Sequence, residues 1–357
     1  MGITLTLLDL AGTVALLLWG VHMVQTGVQR QFGPALRQFL ARALRNRVRA
    51  FLAGLGVTAV LQSSTATGLM VAGFASEGLV GLPAALAVML GANVGTTLIV
   101  QVLSFDVTIV APLLVLAGVA LFRGAAGPRD FGRVLIGLGL MLLALHQFLV
   151  LLGPLAADPL SRSVLAALAP HIVALVLLGA VLTWAAHSSV AIVLLAMSLT
   201  ANGVIPPSAA IALTLGANLG TAINPVLEGA KGGDPAGARL PLGNLASRAL
   251  GVVVVLVVYP YVTPLVSRLQ ATPARAVANF HTAFNLILAI VFFPWLPRYA
   301  RLLERWIPVR PNDASPGSPL YLQPALLEAP GQALGAAARE ALRMADVVEQ
   351  MLVGLRA

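Results

Sequence analysis

The sequence predicts an all-α polytopic membrane protein of two inverted repeats, with about seven spans and two re-entrant helical hairpins whose helices are broken inside the bilayer. Three observations carry that expectation. Of 357 residues, 59% are hydrophobic and 10% charged, against roughly a quarter charged in a soluble domain, which excludes an ordinary soluble enzyme. The chain matches itself at an offset of 125 residues. Its arginines are also shared unequally between equivalent loops.

Charge-free runs mark the apolar segments. Residues 50–76, 78–105, 134–157, 163–227, 249–267 and 276–297 contain no Asp, Glu, Lys or Arg, and a helix needs ~20 apolar residues to cross the hydrocarbon. The first span is 4–25; without a basic leader or a small-residue cleavage site it reads as a retained span rather than a signal peptide. Arg30, Arg37, Arg42, Arg45, Arg47 and Arg49 follow it. Its counterpart is 132–152, placed by the match of Trp19-Gly20-Val21-His22 with Leu143-Ala144-Leu145-His146, and the loop after that, 153–170, holds only Arg162. The positive-inside rule puts the first loop in the cytoplasm and the second outside. Equivalent loops on opposite sides mean inverted repeats.

Two motifs recur at the 125-residue offset: Gly91-Ala92-Asn93-Val94-Gly95-Thr96 lands on Gly216-Ala217-Asn218-Leu219-Gly220-Thr221, and Gln62-Ser63-Ser64-Thr65-Ala66 on His187-Ser188-Ser189-Val190-Ala191. Gly54 lands on Gly179. Parity then singles out the hairpins. Arg49 and the cluster Arg123, Arg129 and Arg133 should share the cytoplasmic side, yet three apolar segments, 50–76, 78–105 and 107–122, lie between them. One must enter and leave on the same face, and 50–76, centred on Gln62, Ser63, Ser64, Thr65 and Thr67, is the candidate. Between the outside loop and Lys231, Arg239 and Arg248 the same logic selects 171–200, tipped by His187-Ser188-Ser189, with 205–227 as the full crossing. Spans 249–267 and 276–297 complete the set, leaving the amino terminus outside and the carboxyl terminus in the cytoplasm. The competing reading is that both polar segments simply span, since hydroxyl residues are common at helix contacts in membranes.

The net charge of +9 falls between apolar runs, so it reads as a topology signal rather than a nucleic-acid surface. No cysteine is present, which removes disulfides and thiolate metal sites. Lys231 is the one lysine, and with the Ala, Leu, Gly and Pro bias this points to a G+C-rich bacterial genome and so to a bacterial plasma (inner) membrane.

The duplicated motifs carry the chemistry. Gly-Ala-Asn-x-Gly-Thr is expected to break its helix, exposing carbonyls that bind a small cation, while the hydroxyls and helix amino termini at a Gln-Ser-Ser-Thr tip suit an oxyanion. A cation feature beside an anion feature, doubled, describes a coupled ion and anion carrier. Glu77, Asp106 and Glu228 fall at segment ends, so no intramembrane carboxylate offers a proton relay, and sodium held by neutral oxygens fits better as the coupling ion. His187, placed where the first repeat has Gln62, is either a neutral substitute for the amide or a proton-responsive group. His22, His146, His171 and His281 have no metal-ligand spacing. With no acid to orient His187, an intramembrane hydrolase is not expected.

These residues resemble the type II sodium–phosphate cotransporter family, whose mark is a duplicated Gln-Ser-Ser-(Ser/Thr) element, each copy followed by Gly-Ala-Asn-(Ile/Val)-Gly-Thr. The resemblance covers about residues 1–300. It implies sodium-driven symport of inorganic phosphate by alternating access, with no other cofactor. Phosphate contact is carried onto Gln62, Ser63, Ser64, Thr65, His187, Ser188 and Ser189, and sodium-binding or helix-break roles onto Asn93, Gly95, Thr96, Thr97, Asn218, Gly220 and Thr221. The second copy departs from the pattern at His187 and Val190, which leaves open one sodium site, export, or a related oxyanion. A phosphate-sensing membrane protein is the alternative from another class.

The domain organisation expected is 1–127 as repeat 1, 128–300 as repeat 2 with the C-terminal spans, 301–331 as a cytoplasmic linker rich in Pro, Gly, Ser and Asn, and 332–357 as an amphipathic helix. Leu334, Ala338, Leu342, Ala345, Val348, Leu352 and Leu355 form its apolar stripe. The helix resembles the start of the PhoU-like domain that follows many bacterial members; burial in a homodimer is the competing reading.

Overall fold

The computed structural model describes residues 3–44, 46–76, 80–103, 110–123, 129–157, 167, 170–229, 235–269, 272–308, 321–322 and 330–354. Met1–Ile307 and Pro308–Ala357 form two separate units. Every regular element among the described residues is helical, as expected of an all-α polytopic membrane protein. Among the described residues, six stretches are long and apolar enough to cross a bilayer: Leu8–Ala43, Leu82–Leu103, Arg129–Gln147, Pro207–Leu227, Gly237–Val257 and Pro273–Trp306.

The first repeat contains α1 (Ile3–Ala43), α2 (Arg47–Leu61), α3 (Ser64–Ser76), α4 (Leu82–Leu103) and α5 (Ala111–Arg123). The second has α6 (Arg129–Ala157), α7 (Ile172–Ala186), α8 (Ser189–Ala201) and α9 (Pro207–Gly229), followed by α10 (Pro235–Val257), α11 (Tyr259–Leu269), α12 (Pro273–Phe292), a 3-10 turn at Phe293–Trp295 and α13 (Leu296–Trp306). The expected crossing at 107–122 is represented by α5, only 13 residues long, and part of it lies outside the described residues, as do the loop around Arg162, Glu77, Asp106, Lys231 and most of the 301–331 linker.

Both expected hairpins are present, as pairs of short helices that meet at the duplicated tips. α2 starts on Asn46, whose side chain accepts from the Val48 N–H at 2.8 Å, and ends at Gln62, which adopts the left-handed conformation (φ 53°, ψ 25°). α7 ends the same way at His187 (φ 51°, ψ 23°). These are the non-glycine positive-φ residues among those described. A side chain in that region costs about 1 kcal/mol or more, so its recurrence at equivalent places marks a conserved purpose of the duplicated backbone. Ser63 and Ser188 then cap the next helices, their Oγ atoms accepting from the N–H groups of Ala66 (3.1 Å) and Ala191 (3.2 Å).

Helices α4 and α9 brace the hairpins, α4 packed on α2 and α9 on α7. They correct one expectation: both run unbroken through Gly91–Thr97 and Gly216–Thr221. The glycines serve contact instead of unwinding. A Cβ on Gly91 would strike the Phe51 carbonyl and one on Gly95 the Leu55 carbonyl; Gly216 and Gly220 meet the Val176 and Ala180 carbonyls in the same way. Gly54 against Val88 and Gly179 against Leu213 complete the duplicate set. Backbones that approach this closely let a short helix lie against a long one without lipid between them.

Two further expectations change. The arginine-rich stretch after the first span is not a loop, because α1 continues to Ala43 with Pro34 inside it. Its 41 residues extend roughly 60 Å, twice the ~30 Å hydrocarbon, so the half bearing Arg30, Arg37 and Arg42 can remain helical beyond the apolar layer. Arg248 is not a loop marker either: it sits inside the Gly237–Val257 stretch and is buried.

In the second unit, α14 (Pro330–Gly354) forms where the amphipathic helix was expected. Buried Glu340 pairs with Arg343 at 2.6 Å and accepts from the Tyr321 N–H at 2.7 Å. Leu334, Leu342, Val348 and Leu352 are exposed.

Gly91→Ala and Gly216→Ala are each expected to destabilise the protein by ~1–3 kcal/mol through overpacking. A Cβ at Gly56 meets nothing within 4 Å, so Gly56→Ala should be neutral or mildly stabilising. Thermal midpoints of detergent-purified variants check this, and equal midpoints for all three would overturn the packing account.

Candidate anion-binding site

The two tips converge. One small cavity is lined by Gln62, Ser63, Ser64 and Thr65 from the first hairpin and by His187, Ser188, Ser189 and Val190 from the second, with Thr96 of α4 and Thr221 of α9 completing its wall. All seven residues expected to contact phosphate therefore face one space, although the tips lie 125 positions apart. Ser64 Oγ and Thr221 Oγ1 are 3.4 Å apart, a hydrogen bond joining the repeats across the cavity. The volume is about 10 Å³, room for about one water molecule.

α3 and α8 both begin at this cavity, at Ser64 and Ser189. The first N–H groups of a helix have no intrahelical acceptor, and the helix dipole adds positive potential at that end. Serine hydroxyls and free backbone N–H groups from two opposed helix starts make a neutral donor cage suited to an oxyanion. Ser64, Ser188 and Ser189 are buried, Gln62 and Thr65 half-buried, and His187 is exposed. Val190 substitutes an apolar wall where the first repeat has the Thr65 hydroxyl.

The residues expected to bind sodium divide into two groups. Thr96 and Thr221 line the cavity. Asn93, Thr97 and Asn218 lie deeper, in a buried polar network. Asn93 Nδ2 donates to Asn244 Oδ1 at 2.9 Å, and Asn285 Nδ2 to Asn218 Oδ1 at 2.9 Å. Thr97 Oγ1 bonds the Val94 carbonyl and Thr96 Oγ1 the Ala92 carbonyl. Gly95 and Gly220 take part through packing alone. Asn93 Oδ1, Asn285 Oδ1 and Gln62 Oε1 are buried oxygens with no donor, so each retains a lone pair for a cation.

Sequence reasoning missed four of these participants. Asn244 and Arg248 on α10, and His281 and Asn285 on α12, are all buried. Their signal was their spacing, polar residues four apart and so on one helix face, each pair just ahead of an apolar run. Gln25 of α1 was missed as well: its Nε2 donates to the Gln62 carbonyl at 3.1 Å and so steadies the first tip.

A family model described as Na+/Pi-cotransporter matches residues 16–149 and 154–289, one segment over each hairpin and its bracing helix. The chain belongs to the Na+/Pi-cotransporter family. It is 40% identical over 357 residues to the Salmonella typhimurium protein named "Putative inorganic phosphate export protein YjbB", which covers 99% of this chain and 65% of that one. Identity to the Escherichia coli protein of the same name is 39% over 353 residues, 98% of this chain and 65% of the relative. The chain thus spans about 65% of the length of these curated relatives. A Bacillus subtilis protein, "Uncharacterized protein YqeW", is 29% identical over 307 residues, 86% of this chain and all of that protein. No solved structure matches. In this Na+/Pi-cotransporter family member the family match falls on the two halves that build the cavity, each contributing one hairpin and one bracing helix.

Gln25→Leu removes the donor to the Gln62 carbonyl and is expected to cost about 1 kcal/mol locally. Amide exchange should quicken across residues 62–67 and stay unchanged at the second tip; equal exchange in variant and parent would overturn the role given to Gln25.

Proposed function

We propose that this chain is a secondary active transporter that couples sodium to the movement of inorganic phosphate across a bacterial inner membrane by alternating access. The observation that carries the proposal is the convergence of two helix amino termini and five hydroxyl residues of the two tips on one cavity. A phosphate bound there would accept charge-assisted hydrogen bonds from Ser63, Ser64, Thr65, Ser188 and Ser189 and from the first N–H groups of α3 and α8. Gln62 and His187 would orient the two tips around it. The Ser64–Thr221 contact would open as the tips part to admit the anion. Sodium would draw on the uncommitted buried oxygens of Gln62, Asn93 and Asn285 together with Thr96 and Thr221, neutral ligands of the kind that half-helix transporter sites employ.

Coupling to sodium gives the carrier a direction only through the gradients it meets. Uptake follows an inward sodium gradient, whereas the name of the Salmonella and Escherichia relatives, phosphate export, supports efflux as the second reading. The arginines along the second half of α1 favour a cytoplasmic placement for that end, and hence an external amino terminus. The exposed apolar residues of α14 suit packing against other helices, as in the PhoU-like helical domain that its sequence resembles.

Purified protein in liposomes tests the proposal. Labelled phosphate should accumulate under an inward sodium gradient, and a reversed gradient should drain preloaded vesicles. Ser64→Ala and Ser189→Ala each remove a hydrogen bond to a charged ligand and should reduce transport or affinity by roughly tenfold or more. Wild-type rates in both variants would remove the site assignment, and saturable binding without accumulation would favour a sensor.

A further inference from the structure

Arg248 is 2% exposed at mid-length of α10, inside a membrane-spanning helix. One terminal nitrogen donates to the backbone carbonyl of Asn218 at 2.6 Å, and its Nε has no partner. The ion pairs among the described residues are Arg133 with Asp130 and Arg343 with Glu340, so no carboxylate there neutralises it. An unpaired guanidinium at this depth is expensive. Such a charge is retained where something else compensates it during the working cycle.

Its position names the compensating group. Asn218 lies three residues before Thr221 on α9, less than one helical turn, and Thr221 lines the cavity between the tips. The guanidinium is therefore fixed to the helix that walls the anion cavity, one turn behind the wall. α10 packs on α3, α4 and α9, and α12 packs on α8, α9 and α4, so the two helices occupy matching places across the duplication. Asn244 on α10 bonds to Asn93 and Asn285 on α12 bonds to Asn218, so these two amides form the equivalent pair. Beyond that shared amide α10 adds a full positive charge, whereas α12 carries no Asp, Glu, Lys or Arg over 276–292.

We propose that Arg248 is a fixed countercharge for the transported anion, a positioning residue that acts through α9 to raise phosphate affinity and takes over part of the charge compensation otherwise supplied by a coupling cation. The inference rests on the reading of the tip cavity as a phosphate site. It deepens that reading by placing one compensating charge in the protein itself, on one side of an otherwise duplicated frame. Coulombic attraction in a partly dry interior persists over one helical turn, so direct contact with the anion is not required.

The test compares wild type, Arg248→Gln and Arg248→Lys in sodium-gradient liposomes with labelled inorganic phosphate. Gln retains a donor for the Asn218 carbonyl and removes the charge; Lys retains the charge. Arg248→Gln is expected to raise KM for phosphate about tenfold or more with Vmax within about twofold, and to need more sodium for half-maximal rate. Arg248→Lys should return KM to within about threefold of wild type. An unchanged KM in Arg248→Gln overturns the proposal, as does an equal loss in Gln and Lys variants, which would mark a packing role. If the Gln protein fails to fold, a tenfold higher KM in a folded Lys variant overturns it alone. Wild-type vesicles that neither take up nor release phosphate overturn the phosphate reading and this inference together, whereas a transporting wild type with an indifferent Arg248→Gln overturns only the inference.

Discussion

A helix that stops inside a bilayer leaves N–H and C=O groups that lipid cannot satisfy. The chain stops four helices in this way, α2 and α3 at Gln62 and Ser63, α7 and α8 at His187 and Ser188, and the rest of the membrane unit follows from that constraint. The left-handed residues turn the backbone within two positions. Serine caps absorb one donor on each following helix, and Gln25 reaches across from α1 to hold the Gln62 carbonyl. The residues that open those helices, Ser64, Thr65, Ser189 and Val190, line the shared cavity. Lipid is kept away by α4 and α9, whose glycines let them press against α2 and α7. The polar groups that make the fold costly are thus the groups that can bind an anion.

The duplication is close in backbone and looser in chemistry. Matching glycine contacts and left-handed tips recur at one offset, yet side chains at equivalent places differ. Thr58 Oγ1 donates to Thr67 Oγ1 at 2.8 Å in the first repeat. Its counterpart Thr183 is buried with Oγ1 unpartnered, because Ile192 stands where Thr67 would be. His187 stands where the first repeat has Gln62, and Val190 where it has Thr65, and all four line the cavity. The two tips therefore share a backbone geometry while presenting different side chains to the same cavity.

Much of this was legible in the sequence because the signals were strong and redundant. Composition alone required a membrane, and two motifs at one offset required a duplication. Polar residues at the centre of an otherwise apolar segment located both tips, and the expected phosphate residues all reached the cavity. What was not legible concerns places where packing overrides local preference. Gly-Ala-Asn-x-Gly reads as a breaker because glycine loses helix propensity, but close contact with the Phe51 and Val176 carbonyls outweighs that loss and α4 and α9 stay whole. Arg248 reads as a loop charge because arginine is rare inside membranes; only its hydrogen bond to a carbonyl on another helix shows that it is interior. Gln25 has no repeat partner to draw notice to it.

The continuity of α4 and α9 bears on how such a unit can move. Had these helices unwound at their glycines, the cation ligands would be soft backbone carbonyls able to shift with each cycle. Unbroken, they are rods that hold Thr96, Thr221, Asn93 and Asn218 at constant spacing along the helix, and α10 and α12 tie each rod to the other through buried amides. Freedom is then concentrated at the tips, where each backbone turn occupies two residues and one 3.4 Å hydroxyl pair, Ser64 with Thr221, hydrogen-bonds one repeat to the other. For the proposed alternating exposure, the geometry favours sliding of α2 on α4 and of α7 on α9, along the faces that the glycines line. Close backbone contacts without interlocking side chains are the surfaces best suited to such sliding.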